Sequence, residues 1–152
     1  MAFREATLQD IPQIQIVRHA VKENILSDPA LVTDKDCADY LLGRGKGWVC
    51  ELNGEVIGFA IADLVDNNIW ALFVDPHFEH QGIGRKLHDM MLDWYFSQGK
   101  KEVWLGTAPH TRAASFYKKA GWAETGTHGR VEIKFEMKSE DWLAIRRKPE
   151  PF

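Results

Sequence analysis

The stretch that most constrains this chain is residues 68–99, where one hydrophobic period gives way to another across a pair of glycines. Residues 69–74 read Ile-Trp-Ala-Leu-Phe-Val, an unbroken run of β-branched, aromatic and aliphatic side chains closed by Asp75-Pro76. Such a run is written for a buried strand, and proline ends its ladder because it has no N–H to donate. Beyond it the period lengthens. Ile83, Leu87, Met90, Met91 and Trp94 recur at helical spacing, and Gly99 stands where a C-terminal stop belongs. Between strand and helix lies Gln81-Gly82-Ile83-Gly84-Arg85-Lys86. Glycines let a backbone come close to a ligand, and the first N–H groups of a helix have no partners within it. Those donors, the positive end of the helix dipole and two neighbouring cations suit a phosphate. A glycine pair at a helix start is also simply a tight turn, so the loop alone does not decide between them. Two phosphate motifs are excluded. A Walker A loop needs Lys-Ser/Thr after four spaced residues, and a dinucleotide fingerprint needs a third glycine where this chain has Leu87.

The flanking sequence supplies an ordered set of elements. Residues 2–7 read as a first strand, followed by a helix with Ile11, Ile14, Val17 and Val21 on one face, capped by Thr7 or Asp10 and started by Pro12. The pattern fades over 21–31, with a turn at Ser27-Asp28-Pro29, and a second helix is expected over 33–42 with Thr33 as its cap. Strands over 48–52 and 56–64 flank Asn53-Gly54, a primed hairpin turn. After the glycine-led helix come a strand over 102–105, a helix from His110 or Thr111 to Gly121, and a hairpin of 122–127 with 131–138. Val131, Ile133, Phe135 and Met137 alternate along its second strand. The expected fold is α/β: one domain over 1–138, a mixed and mostly antiparallel central sheet of about seven strands, and about four flanking helices. Residues 139–152 form a tail, either a short docking helix or frayed.

A second motif lies at 110–122, His-Thr-Arg-Ala-Ala-Ser-Phe-Tyr-Lys-Lys-Ala-Gly-Trp. Together with Glu79-His80-Gln81-Gly82-Ile83-Gly84, it resembles the GNAT superfamily of acyl-CoA-dependent N-acetyltransferases. That family writes Gln/Arg-x-x-Gly-x-Gly/Ala at the first site and Asn-x-x-Ala-x-x-Phe-Tyr, then Gly-Phe/Trp, at the second. Ala113, Phe116, Tyr117, Gly121 and Trp122 fall at matching offsets, while Glu79 and His110 depart from the pattern. The element order matches the family over nearly the whole chain.

The resemblance implies acetyl-CoA as cosubstrate and a primary amine of a small molecule or peptide as acceptor, joined by direct attack in a ternary complex. It implies that Gln81, Gly82, Ile83, Gly84, Arg85 and Lys86 cradle the pyrophosphate. It also implies that a backbone N–H near Phe73 or Val74 stabilises the oxyanion where a bulge splays the fourth strand, and that His110, Phe116 and Tyr117 border the cofactor. Tyr117 becomes the acid for the departing thiolate, a role suited to a group protonated at neutral pH. Many relatives carry a glutamate where Asn68 stands, and asparagine takes no proton at neutral pH. A water chain remains open for the base, as do Glu51, Asp63, Asp75 and Glu132; Asp75 is best placed, beside the expected thioester end. The alternative is a non-catalytic acyl-CoA-binding regulatory module.

Composition sets limits on other classes. With 152 residues the chain is one domain, and 22 acidic against 19 basic residues leave no nucleic-acid footprint. Cys37 and Cys50 have no metal spacing, and His77, His80, His88 and His110 gain no completing ligand, so no metal is expected. No apolar run approaches the ~20 residues of a membrane span, and residues 1–5 do not read as a targeting peptide. A cytoplasmic protein with reduced thiols is expected, and pairing through the final hairpin makes a homodimer plausible.

Overall fold

The computed structural model describes residues 1–21 and 32–147. The turn expected at Ser27-Asp28-Pro29 lies outside the described residues. The chain divides into two compact units, Met1–Trp94 and Tyr95–Phe152.

In the first unit, four strands pair in sequence order: β1 (Ala2–Glu5), β2 (Gly45–Leu52), β3 (Glu55–Asp63) and β4 (Asn68–Val74). All three pairings are antiparallel; short turns join β2 to β3 and β3 to β4, whereas residues 6–44 lie between β1 and β2. Asn53 and Gly54 both take left-handed φ, +51° and +81°, as the primed turn requires. A 3-10 turn capped by Thr7 leads into α1 (Ile11–Ala20), which places Ile11, Ile14 and Val17 over Val49, Phe59, Ile61 and Ala71. Arg4 fastens this entry, reaching both carboxylate oxygens of Asp10 at 2.8 and 2.9 Å and Glu51 at 3.0 Å. The second helix is shorter than its sequence pattern suggests. α2 (Asp34–Ala38) is capped by Thr33, but residues 39–44 continue as a wider π-helical segment that delivers Arg44 to the fully buried Asp63.

The second unit holds β5 (Glu102–Thr107), β6 (Ala123–His128) and β7 (Glu132–Lys138), with β7 between the other two and both pairings antiparallel. Leu105 faces Phe135 and Gly106 faces Lys134 across the ladder, so consecutive pairs alternate between the two faces. The alternation read from sequence holds for Phe135 and Met137, both buried. Val131 is outside the strand and 70% exposed, because the turn at Gly129, with φ of +65°, postpones pairing until Glu132. α4 (Arg112–Lys119) is capped by Thr111, whose hydroxyl accepts from the Ala114 N–H. The tail is a docked helix, α5 (Ser139–Arg147). Trp142 is buried, and Ile145 lies where a Cβ on Gly121 would sit. The remaining helix, α3 (Ile83–Ser97), buries Ile83, Leu87, Met91, Leu92 and Tyr95. No described helix is long and apolar enough to cross a membrane.

Candidate functional site

The loop between β4 and α3 forms from residues that each make a local backbone demand. Val74 ends β4, and the Asp75 N–H donates to the Ile57 carbonyl at 2.8 Å, holding the strand end against β3. Asp75 then caps a 3-10 turn, accepting from the His77 N–H at 2.9 Å and facing the His77 ring at the same distance. His80 and Gly82 both adopt left-handed φ, +64° and +78°, with Gln81 between them. That alternation turns neighbouring N–H groups toward one concavity, a device for binding anions. The ladder of α3 begins where Lys86 N–H donates to the Gly82 carbonyl at 3.1 Å, so the Ile83, Gly84 and Arg85 N–H groups open its N-terminal end.

Close packing seats this helix end on the strand ends. A Cβ on Gly58 would meet Ile83 and Leu87 at 3.2 Å and the Phe73 carbonyl at 3.3 Å. A Cβ on Gly84 would lie 3.5 Å from Val74, and one on Gly82 would meet nothing within 4 Å. The structure therefore brings Phe73, Val74, Gln81, Gly82, Ile83, Gly84, Arg85 and Lys86 into one neighbourhood. The two cations differ. Arg85 is held by Asp89 at 3.2 Å, whereas the Lys86 ammonium rests over the Phe3 ring at 4.5 Å. Open helix donors, left-handed glycine and exposed cations fit a diphosphate such as that of coenzyme A.

Strand β4 carries a bulge at Trp70, on its β3 side and away from the Phe73–Val74 position that the resemblance implies. Its pairing with β3 slips by one residue, from Ile61↔Ala71 to Ala62↔Ile69, which leaves Trp70 as the extra residue. A bulge re-aims its side chain. Trp70 stacks on Tyr40 at 3.9 Å and lies 4.8 Å from the Arg18 guanidinium, which also approaches Phe59 and Phe73. Burial pushes the Arg18 pKa down. Trp48, by contrast, is a core residue packed edge-on to Trp94. Asn68, beside the bulge, has a buried Oδ1 that accepts no hydrogen bond from the described residues.

In the second unit, Tyr117 is buried, with its ring edge-on to Phe116 and Trp122 and tilted against Phe135. Burial drives its hydroxyl pKa well above the ordinary tyrosine value, so the group stays protonated throughout the neutral range. His110 precedes the α4 cap with a left-handed φ of +60°. The four carboxylates considered as bases have distinct surroundings. Glu51 and Asp63 are ion-paired with Arg4 and Arg44, Asp63 also accepts from the Val65 N–H, and Glu132 faces His128 at 3.0 Å. Among the described residues, no group of three or more His, Cys, Asp or Glu side chains forms a metal site.

Comparison with known proteins points one way. Residues 14–122 match the acetyltransferase (GNAT) family. An uncharacterized N-acetyltransferase of Archaeoglobus fulgidus is 33% identical over 108 residues, spanning 60% of this chain and 73% of that protein. One from Methanocaldococcus jannaschii is 33% identical over 88 residues, 51% of this chain and 38% of the relative. The ribosomal protein bS18-alanine N-acetyltransferase of Escherichia coli is 31% identical over 75 residues, 47% of this chain and 51% of its own length. In fold, the chain resembles the PaiA N-acetyltransferase of Thermoplasma acidophilum, solved in complex with coenzyme A. That likeness has a TM-score of 0.78 at 18% identity and covers 90% of this chain and 98% of that one.

Proposed function

The chain belongs to the GNAT family of acetyltransferases, and from that premise we propose that it moves an acetyl group from acetyl-CoA to a primary amine. The observation that carries this reading is the open N-terminal end of α3, with left-handed Gly82 before it and Lys86 beside it. Backbone N–H groups of Ile83, Gly84 and Arg85 bind the diphosphate of the donor. The β4 backbone near Phe73 and Val74 orients the pantetheine arm and offers an N–H to the oxyanion. The acid is Tyr117, which keeps its proton until sulfur departs. Asp75 holds the loop by capping its turn. The acceptor is the amine of a small molecule or of a peptide. An alanine-initiated peptide is the first peptide to try, given the activity named for the Escherichia coli relative.

A second reading, a non-catalytic acyl-CoA-binding module, has one observation in its favour: the amide of Asn68 takes no proton at neutral pH. Two measurements test the proposal together. Coenzyme A at about a hundred times its Kd stabilises the fold by ~2.7 kcal/mol, read as a rise in melting temperature. Thiol release from acetyl-CoA, dependent on an added amine, separates catalysis from binding. No melting rise contradicts both readings; a rise without thiol release on any amine favours the module.

A further inference from the structure

The geometry points to a further catalytic group: His128, positioned by Glu132 over Gly106, is the base that deprotonates the acceptor amine. This inference rests on the acetyltransferase reading and names its missing proton acceptor.

The starting point is a glycine inside a strand. Gly106 lies within β5, where glycine costs strand stability and commonly marks the close approach of another group. The approaching group is visible. A Cβ on Gly106 would lie 2.9 Å from Glu132 Oε1 and 3.0 Å from His128 Nδ1. The imidazole and the carboxylate, themselves 3.0 Å apart, therefore occupy the space that a side chain at 106 would fill. The β6–β7 register brings them together, because His128 is paired with Glu132 at the turn end of the hairpin and Gly129 turns the chain between them. An exposed pair of this kind contributes little to stability, which leaves another purpose for it.

The ring is fixed as a base requires. Trp104 lies against it, with centroids 4.8 Å apart, and Trp104 itself carries the Lys134 ammonium at 5.4 Å. When Nδ1–H donates to Glu132, the neutral tautomer leaves Nε2 as an acceptor. The His128 side chain is 49% exposed, so an incoming amine reaches it from water. Of the other carboxylates weighed for this role, Glu51 and Asp63 neutralise arginines and Asp75 caps a turn. The faces of the sheet also agree. Gly106 pairs with Lys134 on one face, whereas Tyr117 packs on Phe135, which belongs to the other. Base and acid thus stand on opposite sides of the same strands, one for the arriving amine and one for the departing thiolate.

The step balances. His128 Nε2 takes one proton from the ammonium and passes it to solvent. The freed nitrogen forms the C–N bond as the C–S bond breaks, and sulfur takes the proton of Tyr117. The second proton lost from nitrogen, as the amide forms, returns through water to Tyr117. No oxidant or further reactant is needed.

The test uses the full chain, acetyl-CoA, and the fastest of three amines: 1,4-diaminobutane, lysine and an alanine-initiated peptide. His128→Gly is expected to lower turnover by about a hundredfold or more, the general-base range, with the coenzyme A melting shift preserved. Added imidazole should restore at least about tenfold of that loss, because it refills the space left beside Glu132. Glu132→Gln, a positioning change, should lower kcat with little change in KM for the amine. Turnover of His128→Gly within about threefold of wild type, or a loss that imidazole does not relieve, overturns the inference. A wild-type protein that binds coenzyme A yet acetylates none of the three amines overturns the acetyltransferase reading first, and this assignment with it.

Discussion

Gly84→Asp separates fold from function because the two respond in opposite directions. Gly84 is the second residue of α3, and its missing Cβ has room, since the nearest atom is Val74 Cγ2 at 3.5 Å. Aspartate is a somewhat better helix former than glycine, by about 0.3 kcal/mol. A carboxylate in the first turn adds about 0.3–1 kcal/mol through the helix dipole. The free variant should therefore gain roughly 0.6–1.3 kcal/mol. At 2–4 °C per kcal/mol that is a rise in Tm of about 1–5 °C. The same carboxylate points its charge at a bound diphosphate and competes for the Ile83, Gly84 and Arg85 N–H groups. Coenzyme A affinity should fall by more than about tenfold, a loss above ~1.4 kcal/mol. Melting scans of the free protein and calorimetric titration with coenzyme A read the two effects separately. A variant that melts at or above the wild-type temperature yet binds coenzyme A equally well would refute the phosphate-site argument, and misfolding could not be blamed.

Three further outcomes follow from the same geometry. Tyr117→Phe keeps the ring packing against Phe116, Trp122 and Phe135, so Tm should change little while turnover falls by about a hundred- to ten-thousandfold; unchanged turnover with chemistry rate-limiting would remove the hydroxyl from the mechanism. Gly58→Val forces a side chain against Ile83, Leu87 and the Phe73 carbonyl, and should cost about 1–3 kcal/mol of overpacking in a urea melt while weakening coenzyme A binding. The Arg4 guanidinium holds the Asp10 carboxyl below the usual carboxylate range, so its stabilisation is full above the unfolded value of about 3.9 and is lost as pH falls through the lower folded value. Asp10→Asn should therefore be less stable than wild type at neutral pH, with the gap closing in acid; a gap independent of pH would contradict that pairing.

The parts of the molecule legible from sequence are those whose cause is local. The strand at 69–74, the glycine-led helix after it and the Asn53-Gly54 hairpin follow from period and turn chemistry; β4 and α3 stand within a residue or two of their expected bounds, while β2 begins three residues earlier than expected. In the tail, Ser139–Arg147 forms α5 with Trp142 buried. What the sequence leaves illegible depends on a partner distant in sequence. The bulge at Trp70 exists only relative to the register of β3, and no composition rule for the strand contains that register. The wide helical turn at 39–44 follows the reach of Arg44 to Asp63, 19 residues away. Burial of Tyr117 depends on contact with Trp122 and Phe135, which helical spacing within α4 does not contain. The glycine at 106 is legible as a place of close approach, since a strand glycine asks what lies against it; the answer, His128 with Glu132, depends on the hairpin register.

The most direct test of the central claim is to mix the protein with acetyl-CoA and one amine at a time, then measure released thiol and acetylated amine in the same sample. The account predicts an amine for which the two appear one for one, with no acetyl group retained on the protein, as direct attack in a ternary complex requires. Thiol released with no acetylated amine in any mixture, or an acetyl group that accumulates on the protein before any amine is added, would contradict it.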